Sequence, residues 1–181
     1  MAKIFLLILA TIAAALAWQH ENFHRVSQRA LPNAITADLD TISQDLKALT
    51  ITLNAYTGGV LDGLTVVKSE RILIRDLESS TANAENLGDV SIADAQDLLE
   101  YIKRLVPDIE GTLDAIADKE PELRAARMHY QAASHVRKLK SMVEKYGNAL
   151  VESMPEKEMG EAKAILSRIM EIFYKTLARL E

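Results

Sequence analysis

Cysteine is absent from all 181 residues. That excludes disulfides and thiolate metal sites together and leaves packing as the source of stability. Aromatic residues are scarce, at 5% of the chain, so the core must be built mainly from aliphatic side chains. No Asn-x-Ser/Thr sequon occurs, which leaves only O-linked positions for a glycan. Basic residues are outnumbered, 21 against 26 acidic. This balance argues against a nucleic-acid partner, which requires a basic surface.

What is present begins with an uncharged apolar run. Lys3 precedes IFLLILATIAAALA, which ends in Ala15-Leu16-Ala17. A lysine, a short apolar stretch and a small-x-small site are the three parts of a secretory signal, with cleavage expected after Ala17. A membrane anchor would need about 20 apolar residues, and this run is shorter. Removing residues 1–17 takes away one base and no acid, leaving 20 basic and 26 acidic residues and a formal charge of −6. Residues 18–32 are polar and unpatterned and read as a flexible leader, with Arg29 as a candidate processing point. Residues 33–181 are enough for one domain with a substantial core.

From Asn33 onward the apolar residues recur at helical spacing. Ile35, Leu39, Ile42, Leu46, Leu49 and Leu53 step by 4, 3, 4, 3 and 4, placing all six on one side of a helix. Thr57-Gly58-Gly59 stops it. A second helix is expected from about Val60 to Glu85, with Leu64, Val67, Ile74 and Leu77 inward, before Asn86-Leu87-Gly88-Asp89 breaks the pattern. Ser91 is placed to cap a third helix whose stripe is Leu98, Ile102, Leu105, Ile109, Leu113 and Ile116. Pro107 lies inside that stripe. It has no N–H and crowds the carbonyl of Lys103, so a bend is expected there at a cost of about 3 kcal/mol. Glu120-Pro121 opens a fourth helix expected to continue to Ser153, and Met154-Pro155 opens a fifth bearing Ile169, Phe173 and Leu177. Proline at the first helical position accounts for both Pro121 and Pro155. No strand pattern competes, and the short connections predict an all-α, antiparallel up-and-down bundle of about five helices.

Three blocks of residues carry a family resemblance. The first holds Asp38, Ile42, Leu46, Leu49, Tyr56, Gly58 and Gly59. The second holds Asp94-Ala95, Leu105-Val106-Pro107-x-Ile109, Leu113 and Lys119-x-Pro121. The last runs from Ala149-Leu150 to Pro155 and then Ile172-Phe173. In this order, behind a signal and without cysteine, the chain resembles the fungal hydrophobic surface binding protein A family, also described as cell-wall galactomannoproteins. The resemblance implies a secreted or wall-associated helical protein that adsorbs to hydrophobic surfaces and can help secreted hydrolases act on hydrophobic polymers. It also implies a relation to five-helix bundles that hold fatty acids in an internal apolar cavity. The chain ends directly after an apolar helix, with no Ser/Thr-rich stalk or lipid-anchor signal, so a soluble secreted protein is expected, with cell-wall association left open.

No catalytic constellation is visible. His20 and His24 are four apart in the leader, a spacing that shares a metal only on a helix, and nothing predicts a helix there. His129 and His135 lie among arginines and lysines, which oppose protonation. A Gly-x-Ser-x-Gly elbow is missing, and the carboxylates fall on predicted solvent faces. The chain therefore reads as non-enzymatic and without cofactor or metal.

The stretch from Arg124 to Lys145 is basic, with Glu144 as its single acid. It is either a solvated face set against acidic helices or a rim for an anionic headgroup, and Arg137 and Lys140 are the residues that would serve the second role. The ligand-facing interior would comprise Leu46, Leu49 and Leu53 of the first helix and Leu64 and Ile74 of the second. It would add Leu98, Ile102, Leu105, Ile109 and Leu113 of the third, Val136, Leu139 and Val143 of the fourth, and Ile169 and Phe173 of the last. An acyl chain there gains about 0.8 kcal/mol per buried methylene before association costs. Two active readings follow, a fatty-acid-binding module with its pocket near Pro107 or a bundle that adsorbs or opens at hydrophobic surfaces. The alternative is a structural or antigenic wall protein with no small-molecule ligand. A monomer is expected, and a secreted hydrolase is the candidate protein partner.

Overall fold

The structure is a computed structural model and describes residues 33–181. The signal segment with its Ala17 site, the leader, His20, His24 and Arg29 lie outside the described residues. Among the described residues there are helices and no strands. Helix α1 spans 33–55, α2 Val60–Glu85, α3 Ile92–Asp118, α4 Glu120–Ala125, α5 His129–Ser153 and α6 Glu156–Leu180.

Local chemistry explains the boundaries. Gly58, at φ 97°, and Gly88, at φ 66°, take the left-handed turns that follow α1 and α2, a conformation that costs glycine little. Ser91 caps α3, its hydroxyl accepting from the Asp94 N–H at 3.2 Å. Pro121 lies in the first turn of α4. Pro155 sits one place earlier than expected, as the residue preceding α6 rather than its first member. Its fixed φ of −58° suits either place, and neither needs its missing N–H.

The expected fourth helix is two helices. Arg127 stands between them at φ 59°. The Arg127 N–H donates to the Arg124 carbonyl at 3.0 Å and the Met128 N–H to the Leu123 carbonyl at 2.7 Å. These are the two bonds of a Schellman ending, with arginine where glycine is usual.

The five long helices close into a ring, in the spatial order α1, α3, α6, α5, α2. Ser43 donates to Asp108 at 2.7 Å and Thr50 meets Thr112 at 2.9 Å, joining α1 to α3. Lys103 pairs with Glu161 at 2.6 Å and Arg179 with Asp118 at 2.9 Å, joining α3 to α6. Arg137 pairs with Glu181 across α5 and α6. Lys145 reaches Glu85 at 3.1 Å across α5 and α2. Asn83 donates to Asp38 at 2.9 Å, returning α2 to α1.

The residue numbers rise together across the α1–α3, α3–α6 and α2–α5 seams, so these spatial neighbours are parallel. Consecutive long helices alternate in direction, giving the expected up-and-down bundle. A ring of five has a geometric consequence. With axes about 9–10 Å apart, its centre lies about 8 Å from each axis, against about 7 Å in a ring of four. Helices with side chains have a radius of about 5–6 Å, so the middle of a five-membered ring is harder to fill.

The inward stripes of α1 and α3 are as expected, with Ile35, Leu39, Leu49, Leu98 and Leu113 buried. Helix α3 continues through Pro107, which lies on its exposed side. Helix α2 differs. Its inward line is Gly63, Val66, Glu70, Leu73, Leu77, Thr81 and Ala84, with Leu73, Leu77, Thr81 and Ala84 almost fully buried. Leu64, expected inside, is 61% exposed. It precedes Leu73 by nine residues, which at 100° per residue places it on the opposite side of the helix.

Candidate functional site

Two apolar cavities lie inside the ring. The larger-walled one, about 80 Å³, touches all five long helices. Its wall includes Leu39, Ile42 and Leu46 of α1, Leu73 and Leu77 of α2, and Leu99, Ile102, Leu105, Ile109, Leu113 and Ile116 of α3. From α5 come Leu139, Val143, Tyr146, Gly147 and Leu150, and from α6 Ala162, Ile165, Leu166, Ile169 and Phe173. The second cavity, about 90 Å³, lies toward the α4 end between α1, α2 and α5, with Leu123 and Met128 in its wall. Ile116 and Leu139 belong to both.

Of the residues expected to face a ligand, Leu46, Ile102, Leu105, Ile109, Leu113, Leu139, Val143, Ile169 and Phe173 line the first cavity. Leu49, Leu53 and Val136 line the second. Ile74 and Leu98 are buried in the core but line neither. Leu64 is on the surface, as described above.

Arg137 and Lys140 stand apart from both cavities. They border a shallow surface depression with Tyr174 and Glu181. Arg137 is engaged by Glu181. Lys140 pairs with Glu144 at 3.2 Å and lies 4.7 Å over the Tyr174 ring. The Tyr174 hydroxyl, followed by Glu144, holds its ammonium above the ordinary lysine range.

The polar groups in the cavities come from residues that apolar periodicity passes over. In the first cavity Thr112 is satisfied, donating to the Asp108 carbonyl at 2.8 Å and meeting Thr50 at 2.9 Å. The Tyr146 hydroxyl is buried with no hydrogen-bond partner. Burial, and then the nearby charge of Asp38, push this phenol well above its usual range, so it is a donor at any ordinary pH.

In the second cavity Glu70 is 6% exposed. His135 Nδ1 lies 2.5 Å from its Oε2, and its Oε1 has no partner. The Tyr56 hydroxyl in the same wall is likewise unpartnered. Two expectations change here. Carboxylates are not confined to solvent faces, since Glu70 and Glu158 are buried. His135 meets an acid from α2 rather than only the cations of its own helix.

The arrangement is an oily compartment with a few polar atoms at separated points. Tyr146 lies toward Asp38, near the start of α1, while Tyr56 and Glu70 lie toward α4. Among the described residues no group of three or more His, Asp or Glu residues could hold a metal. No helix among them is long and apolar enough to cross a membrane.

The family profile described as hydrophobic surface binding protein A matches residues 32–152. Among solved structures, Afmp4p in complex with palmitic acid superimposes with a TM-score of 0.80 at 27% identity, covering 83% of this chain and 99% of that one. Ligand-binding domain 2 of Penicillium marneffei MP1 protein, complexed with multiple arachidonic acids, gives 0.77 at 16% identity, over 82% and 94% of the two chains. Domain 1 of the same protein, complexed with arachidonic acids, gives 0.75 at 15% identity, over 80% and 95%. At those two identities the likeness is one of fold. Comparison with curated proteins at the level of sequence gives no match.

Proposed function

The chain belongs to the hydrophobic surface binding protein A family, and from that premise we propose that it is a secreted, non-enzymatic lipid-binding protein that holds a fatty acid inside its helical ring. The observation that carries this reading is the unfilled apolar interior to which all five long helices contribute. Afmp4p, the relative with palmitic acid bound, supports it.

The physical case follows from size and lining. A cavity of about 150 Å³ lined by Leu, Ile and Phe stays dry and binds small apolar molecules. The two chambers here, about 80 and 90 Å³, are each smaller than that. An acyl chain would have to run through both, which means moving the Ile116 and Leu139 side chains that divide them. Each methylene taken from water returns about 0.8 kcal/mol, so a long chain can offset that rearrangement and the cost of association. The free Tyr146 hydroxyl is the natural donor to a carboxyl group in the first chamber.

The test is direct. The protein is stripped of lipid by unfolding and refolding, then titrated with palmitic acid under native mass spectrometry. Saturable binding at a defined stoichiometry, micromolar or tighter, is the expected result. A mass that stays apo at saturating palmitate would overturn the reading and leave a structural wall protein as the better account.

A second role, adsorption to hydrophobic surfaces, is favoured by Ile51, Leu64, Ile92, Tyr130 and Tyr174, which are large, apolar and each more than half exposed. Without disulfides, the bundle also has no covalent bar to opening at an interface. Adsorption to polystyrene beads, followed by circular dichroism of the adsorbed protein, tests this role. Complete retention in solution would dismiss it. A secreted hydrolase recruited to the coated surface is the corresponding partner, and the monomer is the corresponding form.

A further inference from the structure

The Glu70 chamber is chemically unlike the Tyr146 chamber, and the difference concerns the kind of headgroup it accepts. Resting on the lipid-compartment reading, we propose that the chamber at the α4 end is a subsite for the hydroxyl head of a long-chain alcohol, distinct from any site for a fatty-acid carboxylate.

The argument begins with an unmade hydrogen bond. Glu70 lies on the inward line of α2, at 6% exposure, where an apolar residue would serve packing better. One of its oxygens is taken by His135 of α5, and the other has no partner. A buried acceptor without a donor is costly to keep, and a carboxylate offers only acceptors. A group that completes Glu70 must therefore bring a hydrogen. A second carboxylate brings none and adds a like charge in a medium that screens it poorly.

The Tyr56 hydroxyl lines the same chamber, also buried and unpartnered. A ligand hydroxyl donates one hydrogen and accepts another. It would donate to Glu70 and accept from Tyr56, satisfying both orphaned groups with one atom.

The other charges at this end do not reverse the preference. Lys119 lines the chamber, but its ammonium is within 3.9 Å of Glu122, so this pair nearly cancels. His135 is already committed to Glu70. The walls around the polar atoms are apolar, including Leu49, Leu53, Val66 and Leu123, and Ile116 and Leu139 lead from here to the first cavity. A head seated at Glu70 would thus direct its tail along the bundle axis into the larger-walled chamber.

The experiment is a competition between 1-hexadecanol and palmitic acid, equal in chain length and different in head, for delipidated protein under native mass spectrometry. Wild type is expected to take up the alcohol in preference to the acid. Glu70→Gln keeps the shape but removes the charge, and should lower the alcohol-to-acid ratio by about tenfold. Tyr56→Phe should lower alcohol uptake severalfold and change acid uptake less. Circular dichroism verifies that each variant is folded. A Glu70→Gln ratio equal to that of wild type, or a wild type that prefers the acid, overturns the subsite while leaving the lipid compartment intact. Failure of wild type to bind either ligand overturns both.

Discussion

A Cβ placed on Gly147 of α5 would lie 2.6 Å from Leu166 Cδ1 of α6. The two helices are therefore tightly packed at the wall of the first cavity, since both residues line it. Gly147→Ala gains about 1 kcal/mol of helix propensity but forces the end of the Leu166 side chain to move. Because that end is flexible, the net change in stability should stay within about 1 kcal/mol. Gly147→Val adds two more carbons at the same point and should destabilise by about 1–3 kcal/mol. Urea unfolding of the two variants measures both outcomes, and equal midpoints would mean that the contact is not tight.

The α1–α2 seam carries a pH dependence. Burial, then a shared hydrogen bond with Asp76 and its charge, push Asp45 up to about 6. Asp76 is held below its ordinary range, chiefly by its bond to Arg75, which lies 2.7 Å away. A raised carboxyl pKa means that the folded state holds the proton more tightly than the unfolded chain. Its contribution is complete below the unfolded value and is lost as pH rises through about 6. The depressed Asp76 contributes in the opposite sense, but its contribution is lost only at acid pH. Stability should therefore fall from about pH 5 to about pH 7.5, by about 1 kcal/mol once solvent screening around the partly exposed pair is allowed for. Thermal unfolding of Asp45→Asn should show a smaller dependence over that range. An Asp45→Asn profile parallel to that of wild type would show that the shift lies elsewhere.

The break between α4 and α5 gives no sequence signal, because Ala126-Arg127-Met128 contains neither glycine nor proline. Arg127 pays for its left-handed backbone, a cost of about 1–2 kcal/mol for a residue with a Cβ. Arg127→Gly removes that cost and keeps both Schellman bonds. It should raise the urea midpoint by the equivalent of about 1 kcal/mol. A loss of stability instead would mean that the guanidinium makes a contact that matters more than the backbone strain.

The rest of the fold was legible to the extent that hydrophobic spacing was strict. Helices α1 and α3 keep an unbroken apolar line, and both were readable residue by residue. Helix α2 carries Gly63, Glu70 and Thr81 on its inward line, so apolar spacing alone finds the buried Ile74 and Leu77 and the cavity-lining Val67 but also takes in the exposed Leu64. The same spacing passes over Glu70, because a charged side chain reads as a surface acid. His135 could not be paired with it from one chain, because the contact joins residues 65 apart. Tyr56 stands out in the sequence only through the family block and Tyr146 not at all, and the absence of partners for their hydroxyls is a property of the packed interior. Arg137 and Lys140 stand out in the sequence by charge. Their neighbours Glu181, Glu144 and Tyr174 give that charge a local role on the outside of the bundle.

The unpartnered Tyr146 hydroxyl sets stability against binding. Removing a buried donor that has no acceptor relieves its desolvation cost, so Tyr146→Phe should stabilise the ligand-free protein by about 1 kcal/mol. The same change deletes the donor proposed to meet a fatty-acid carboxyl and should weaken palmitate binding severalfold. Thermal unfolding without ligand, paired with a palmitate titration, reads both effects. A stabilised variant with undiminished affinity would remove Tyr146 from the binding account.

Pro107 lies on the outer side of α3, and Leu105 and Ile109, two residues to either side, line the first cavity. The proline denies the Lys103 carbonyl its intrahelical donor, a defect worth about 3 kcal/mol in an undistorted helix and less where the carbonyl meets water. If the proline bows α3 outward at this level, it keeps room between Leu105, Ile109 and the helices across the ring. Pro107→Ala restores the hydrogen bond and should stabilise the protein by about 1–3 kcal/mol. If the proline holds the cavity open, the straightened helix should also bind palmitate severalfold more weakly. Urea unfolding and palmitate titration of the same sample give the two numbers together. Stability gained with affinity unchanged would mark the proline as strain with no part in shaping the compartment.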